Sequence, residues 1–123
     1  MPRLSRQRGV TLTSTIALQR GRDERFSFVL FGDDGTELLR GLPCFSRNQA
    51  QRSAEQTLRC LTTEKRVFLH QLHGQHYFVV HDDHDEMIAR SPHMLGPLAA
   101  TEILAEAREV APRVVFEGAK DPH

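Results

Sequence analysis

The sequence predicts an α+β domain of two tandem β-β-β-α repeats, an antiparallel sheet with helices packed on one side. Three observations carry that expectation. Arg25-Phe26-Ser27-Phe28-Val29-Leu30 through Leu38-Leu39-Arg40-Gly41 reads against Gln75-His76-Tyr77-Phe78-Val79-Val80 through Ile88-Ala89-Arg90-Ser91 at a constant shift of 50 positions (26 to 76). Self-similarity at a fixed period of this size marks a duplicated supersecondary unit. Both stretches alternate in hydrophobicity, the period-2 signature of strands, and each is followed by one segment with helical apolar spacing.

Composition bounds the rest. A chain of 123 residues, 39% hydrophobic and 26% charged, is long enough for one core and too short for two comfortable ones. One domain is expected over residues 10–118, with repeats at 10–62 and 63–112 and a final short strand near 113–117. Residues 1–9, with Arg3, Arg6 and Arg8, and residues 119–123 read as flexible tails. The 16 basic and 16 acidic side chains cancel, which argues against nucleic acid as a partner. Cys44 and Cys60 fit neither a disulfide framework nor a paired metal motif, and no stretch approaches the ~20 apolar residues of a membrane span. A cytoplasmic protein with no membrane contact and no cofactor is the expectation.

The Arg-, Ser- and Thr-rich start, without an acid before Asp23, is similar in composition to a transit peptide. The β-branched run Val10 to Leu18 suits a strand better. Arg20 to Glu24 then links it to the strand starting at Phe26, whose Phe26, Phe28 and Leu30 share one strongly apolar face. Gly32-Asp33-Asp34-Gly35 supplies turn chemistry before a short strand from Thr36 to Arg40. Ser46, with Gln49 three residues on, reads as a capping box for a helix whose inward stripe is Ala50, Ala54, Leu58 and Leu61.

The second half repeats the plan. Arg66 to His73 reads as a strand joined to His76 onward through Gly74-Gln75, a link that predicts His73 opposite His76 and Gln71 opposite Phe78. The turn Asp82-Asp83-His84-Asp85 lacks the glycines of its counterpart and is expected to be looser. Gly96-Pro97 starts a second helix with proline at its first position. Its stripe is Ala99, Ala100, Ile103, Leu104, Ala107 and Val110, and Pro112 stops it before the strand-like Arg113-Val114-Val115-Phe116-Glu117.

These residues carry a resemblance. The Phe-x-Phe-x-Leu strand at Phe26, the turn glycine Gly35, the Phe45-Ser46 pair opening a helix, the run from Gly74 to Phe78 and the Ala111-Pro112 ending resemble the YegP-like family of small bacterial tandem-repeat proteins. Asp85, Met94 and Leu95-Gly96 depart from that pattern in the second half. The resemblance implies a fold and a dimer, and no agreed biochemical activity.

Candidate chemistry is sparse. Five histidines, His70, His73, His76, His81 and His84, are interleaved with Asp82, Asp83, Asp85 and Glu86, the donor types of zinc and other transition metals. The expected hairpin register sets His73 and His76 on one face, which supports at most a weak two-ligand surface site. The same histidines are candidates for a pH-sensitive contact. Cys44, just before a helix, is a candidate thiolate with His93 or another imidazole as its base, although a small packed residue is the stronger expectation. Arg47, Arg52 and Arg59 read as a solvated helix face. Val29, Phe31, Phe68, Tyr77 and Val79 lie opposite the core set, and an apolar second sheet face marks an interaction surface. The leading reading is therefore a non-enzymatic binding or interaction module acting as a homodimer, with an unidentified protein or small-molecule partner. The alternative is a small enzyme or a weak metal-binding protein using the histidine-rich hairpin.

Overall fold

The computed structural model describes residues 14–117 of the chain. The tails expected at 1–9 and 119–123, and the first residues of the expected N-terminal strand, lie outside the described residues. In chain order the elements are β1 (Thr15–Arg20), β2 (Phe26–Phe31), β3 (Glu37–Gly41), α1 (Arg47–Leu61), β4 (Val67–Leu72), β5 (Gln75–His81), β6 (Met87–Arg90), α2 (Pro97–Val110) and β7 (Val115–Glu117). Short 3-10 turns at Glu64–Arg66 and Ala111–Arg113 lead out of the helices.

All the strands join one sheet in the order β4-β5-β6-β3-β2-β1-β7. Two three-stranded meanders meet where β3 and β6 pair antiparallel, Arg40 opposite Arg90 and Gly41 opposite Ala89. The sheet is mixed, which corrects the expectation of an antiparallel one: β7 runs parallel to β1, with Thr15 opposite Val115 and Ala17 opposite Glu117. A tight hairpin turn forces its two strands antiparallel, whereas β7 arrives from a helix and is free of that constraint. The Val115 N–H donates to the Ser14 carbonyl at 3.0 Å and fixes the join.

The helices cover one side. Phe28, Leu30, Leu39, Phe78 and Val80 from the sheet pack in one buried cluster with Ala54, Leu61, Leu104, Ala107 and Val110 from α1 and α2. Small residues let the backbones approach, and at Gly41 any Cβ would run into the Phe28 ring. Ser46 caps α1 by accepting the Gln49 N–H at 3.1 Å. The Gln49 side chain reaches back one residue further than a capping box requires, to the Phe45 N–H at 2.9 Å. Arg108 on α2 donates to the Leu61 carbonyl at 2.7 Å, a cation at the C-terminus of α1 where the helix dipole favours one. Thr57, absent from the expected stripe, is fully buried and returns its hydroxyl proton to the Ser53 carbonyl.

Two local expectations need correction. The β4–β5 turn is His73-Gly74 and not Gly74-Gln75: φ is 53° at His73 and 78° at Gly74, the positive pair that a type I′ turn demands. Leu72 then faces Gln75, Gln71 faces His76 and Leu69 faces Phe78. The expected His73–His76 pair does not form, because His73 is spent on the turn itself. The Asp82 turn, in turn, is as well bonded as the glycine-bearing one. Asp82 N–H to Glu86 carbonyl (2.9 Å) and Asp85 N–H to Asp82 carbonyl (3.0 Å) match Gly32 to Thr36 (2.9 Å) and Gly35 to Gly32 (3.0 Å). Asp85 takes φ 66° where Gly35 takes 85°, a left-handed backbone that aspartate tolerates better than most side chains. The Asp82 carboxylate also accepts the His84 and Glu86 N–H groups at 2.9 and 3.0 Å.

Candidate binding groove on the helix-free face

Strand pairing places Ala17, Val29, Arg40, Arg90, Val79 and Phe68 in one row across the six strands from β1 to β4, on the side away from the helices. This row organises the face. At its centre two arginines stand directly opposite each other, and like charges in that position destabilise a sheet. Beside them lies a groove of about 290 Å³, lined by Glu37, Arg40, Arg90, Ser91, Pro92 and His93.

The two guanidinium groups have different surroundings. Arg40 is held on both sides: Nη2 and Nε donate to the Glu37 carboxylate at 3.1 and 3.3 Å, and Nη1 donates to Gln19 Oε1 at 3.2 Å. The same strand irregularity precedes both arginines, since Phe31 faces Glu37 after one register shift and His81 faces Met87 after the other. Met87 thus stands before Arg90 where Glu37 stands before Arg40. Among the described residues no hydrogen bond or ion pair engages the Arg90 guanidinium, which is exposed.

Aromatic rings wall this half of the face. The rings of His70 and Tyr77 stack at 5.4 Å and 16°, and those of Tyr77 and His93 at 4.4 Å and 15°. His93, at the groove end of the stack, is fixed by a 3.0 Å hydrogen bond between Nδ1 and Gln75 Oε1. Phe68 and His81 make a further tilted ring pair at 4.5 Å.

The expected interaction surface is only partly open. Val29 is 0% and Val79 3% exposed, Phe31 and Tyr77 are half-buried, and Phe68 keeps 38% of its surface in contact with solvent. The expectation that this whole face lies in water is therefore corrected at the two valines. Each sits opposite an arginine, and an arginine stem shields apolar surface while its head stays wet. Sequence reasoning missed Arg40 and Arg90 as groove residues and read His93 only as a base candidate for Cys44. The signal was present, since the same 50-position shift that aligns Phe28 with Phe78 aligns Arg40 with Arg90 and Glu37 with Met87.

The histidines do not gather. His73 lies in its turn, while His76 is half-buried and exchanges backbone hydrogen bonds with Met94. Among the described residues no three His, Cys, Asp or Glu side chains converge on a point that could hold a metal. Cys44 donates to the Leu42 carbonyl at 3.6 Å, and burial pushes its thiol above the ordinary value. Cys60 is raised by burial first and by the Asp83 charge second, so neither cysteine has the lowered pKa of a reactive thiolate. Arg47, Arg52 and Arg59 are exposed on α1. No helix among the described residues is long and apolar enough to cross a membrane.

No protein-family model and no curated protein matches the sequence. The fold does have counterparts among solved structures. A protein of unknown function, yegP of E. coli, superposes with a TM-score of 0.78 at 19% identity, over 89% of this chain and 97% of that one. The chain has the YegP-like fold. A UPF0339 protein from Shewanella oneidensis shares it, with a TM-score of 0.76 at 16% identity over 85% and 91% of the two chains. At these identities the YegP-like fold is what is shared.

Proposed function

We propose that this chain is a duplicated, non-enzymatic binding module that works as a homodimer in the cytoplasm, joined to its copy along β4. The observation that supports this reading is the exposed edge. β4 ends the sheet, and Phe68, Leu69 and Leu72 along it are 38%, 58% and 50% exposed. A long apolar edge strand without lysine, proline or a bulge is a template for another strand. The two-residue turn directs the backbone groups of Leu72, His70 and Phe68 toward β5, and so leaves those of Leu69 and Gln71 facing outward. An antiparallel copy centred on Leu69 places Leu69 opposite its own counterpart and Phe68 opposite His70, a self-complementary arrangement of the kind a two-fold dimer needs.

Sedimentation over a concentration series tests it. A dimer that Leu69→Lys turns into a folded monomer supports the reading. A monomer at every concentration removes the homodimer, and a dimer indifferent to Leu69→Lys removes β4 as its interface. Among binding readings, the open groove between two arginines favours a small-molecule partner.

A further inference from the structure

The geometry points to the Arg90 side of the groove as a binding site for a small organic oxyanion with a flat apolar part, its charged group on the Arg90 guanidinium and its plane against His93. This deepens the binding-module reading by naming the ligand's chemistry, and it does not depend on the dimer.

Three features converge. The first is charge. Arg40 and Arg90 face each other across β3 and β6, and Glu37 is occupied by two bonds to Arg40. The sum of the two guanidinium groups and that one carboxylate leaves the groove with a single excess positive charge, and it resides on Arg90. A guanidinium is a planar fork that matches a carboxylate or phosphate with two parallel hydrogen bonds. The second feature is the asymmetry between the halves. Both arginines follow the same strand irregularity, yet the acid that neutralises Arg40 is a methionine before Arg90. An arginine needed only to shield Val79 would lose nothing by having a carboxylate beside it, whereas an arginine that receives an anion must be free of one.

The third feature is shape. The groove's volume of about 290 Å³ lies at the lower limit of small-molecule sites. One of its walls is His93, the end of a three-ring stack locked by Gln75. A ring already stacked and hydrogen-bonded loses little freedom when a flat ligand lies on it. Glu37 repels an anion seated at the Arg40 end, which places the oxyanion at Arg90.

Backbone amide NMR titration of the full chain decides the matter, with benzoate as the probe that has both parts. Acetate and inorganic phosphate carry charge alone, and benzyl alcohol carries the ring alone. Saturable benzoate shifts centred on Arg90 to His93, with affinity for acetate and phosphate several-fold lower and none for benzyl alcohol, support the site. Arg90→Met should weaken benzoate at least about tenfold, the loss of one charged hydrogen-bonding partner. Met87→Glu, at a position 38% exposed, keeps Arg90 and gives it the acid that Arg40 has, and it should weaken benzoate comparably while the dispersion of the amide spectrum reports the folded state. No saturable binding, binding unchanged in both variants, or phosphate and acetate binding as well as benzoate overturns the proposal. The oligomeric state of the unmutated chain separates the two readings: benzoate binding by a chain that is monomeric at every concentration keeps the site and drops the dimer, a dimer that binds no benzoate does the reverse, and unchanged benzoate binding by the Leu69→Lys monomer shows that the site does not need the second copy.

Discussion

The two halves of this molecule agree on the side that faces the helices and disagree on the side that faces water. Toward the helices, Phe28 and Leu30 in one half and Phe78 and Val80 in the other are all buried in one cluster. Away from them, the first half closes its arginine into a polar network with Glu37 and Gln19. The second half leaves its own exposed, sharing a groove with His93, the end ring of a stack with Tyr77 and His70. Packing constrains a core residue from every direction, while an outward-facing residue is constrained only by its neighbours in the sheet. The two halves therefore differ most where the fold leaves a residue free, and there they present two unlike surfaces.

The largest test of the shared side is Phe28→Asp, which buries an unpaired charge at a cost of several kcal/mol and should abolish the folded state in thermal melts. Ser27→Asp, one residue away and half-buried on the opposite face, should retain a cooperative melt. Equal behaviour of the two variants would overturn the assignment of faces.

A smaller effect separates the halves where Gly41 in the first corresponds to Ser91 in the second. Gly41→Ser pushes a side chain into the Phe28 ring and should cost about 3 kcal/mol, as overpacking does. Ser91 is already accommodated, its hydroxyl accepting the Phe78 N–H at 3.0 Å and donating to the Pro92 carbonyl at 2.9 Å. Ser91→Gly should cost about 1 kcal/mol for the orphaned N–H. Denaturant unfolding of both variants measures the difference, and a milder Gly41→Ser would mean the ring has room to move.

The smallest effect distinguishes the two turns by pH. Backbone N–H donation from Glu86, and then from His84, holds the Asp82 carboxyl below the usual 3.8 despite partial desolvation. A depressed folded-state pKa adds stability that is present above the unfolded value and is lost as pH falls through the folded one. The glycine-bearing turn has no carboxylate at that place, since Gly32 stands there. Carboxyl NMR titration should give Asp82 a midpoint below 3.8, and Asp82→Asn should erase a stability difference that exists at neutral pH and vanishes in strong acid. A midpoint at or above the ordinary value would show that the turn's hydrogen bonds do not reach the carboxylate.

Much of the fold was legible because local chemistry and packing agree. The alternation around Phe28 and Phe78, the Ser46 cap, the Pro97 start and the Pro112 stop each rest on a constraint that acts within a few residues. What was not legible depends on distant or subtle partners. The β4–β5 register turned on whether His73 or Gln75 would share the turn with Gly74, and only the accommodation of a positive φ by His73 decided it. The parallel placement of β7 depends on where α2 delivers the chain. Val29 and Val79 looked exposed because arginine counts as polar in a pattern, although most of its length is hydrocarbon. The groove itself is made by residues from β3, β6 and the segment after it, and only the aligned loss of Glu37 at Met87 hinted at it.

The position of β7 carries a further consequence. A sheet with two long, unguarded edges has two valences and can add copies indefinitely into a ribbon, as exposed edges do in aggregation. Here the strand arriving from α2 occupies the margin beside β1 and ends the sheet there with three residues, Val115–Glu117, too short a row to template a partner. Arg113, just before it, anchors that margin with two 2.9 Å bonds to Asp33. Among the described residues one margin is thereby retired and the other stays open, so the association proposed along β4 would saturate at two chains, with no second margin to carry it further.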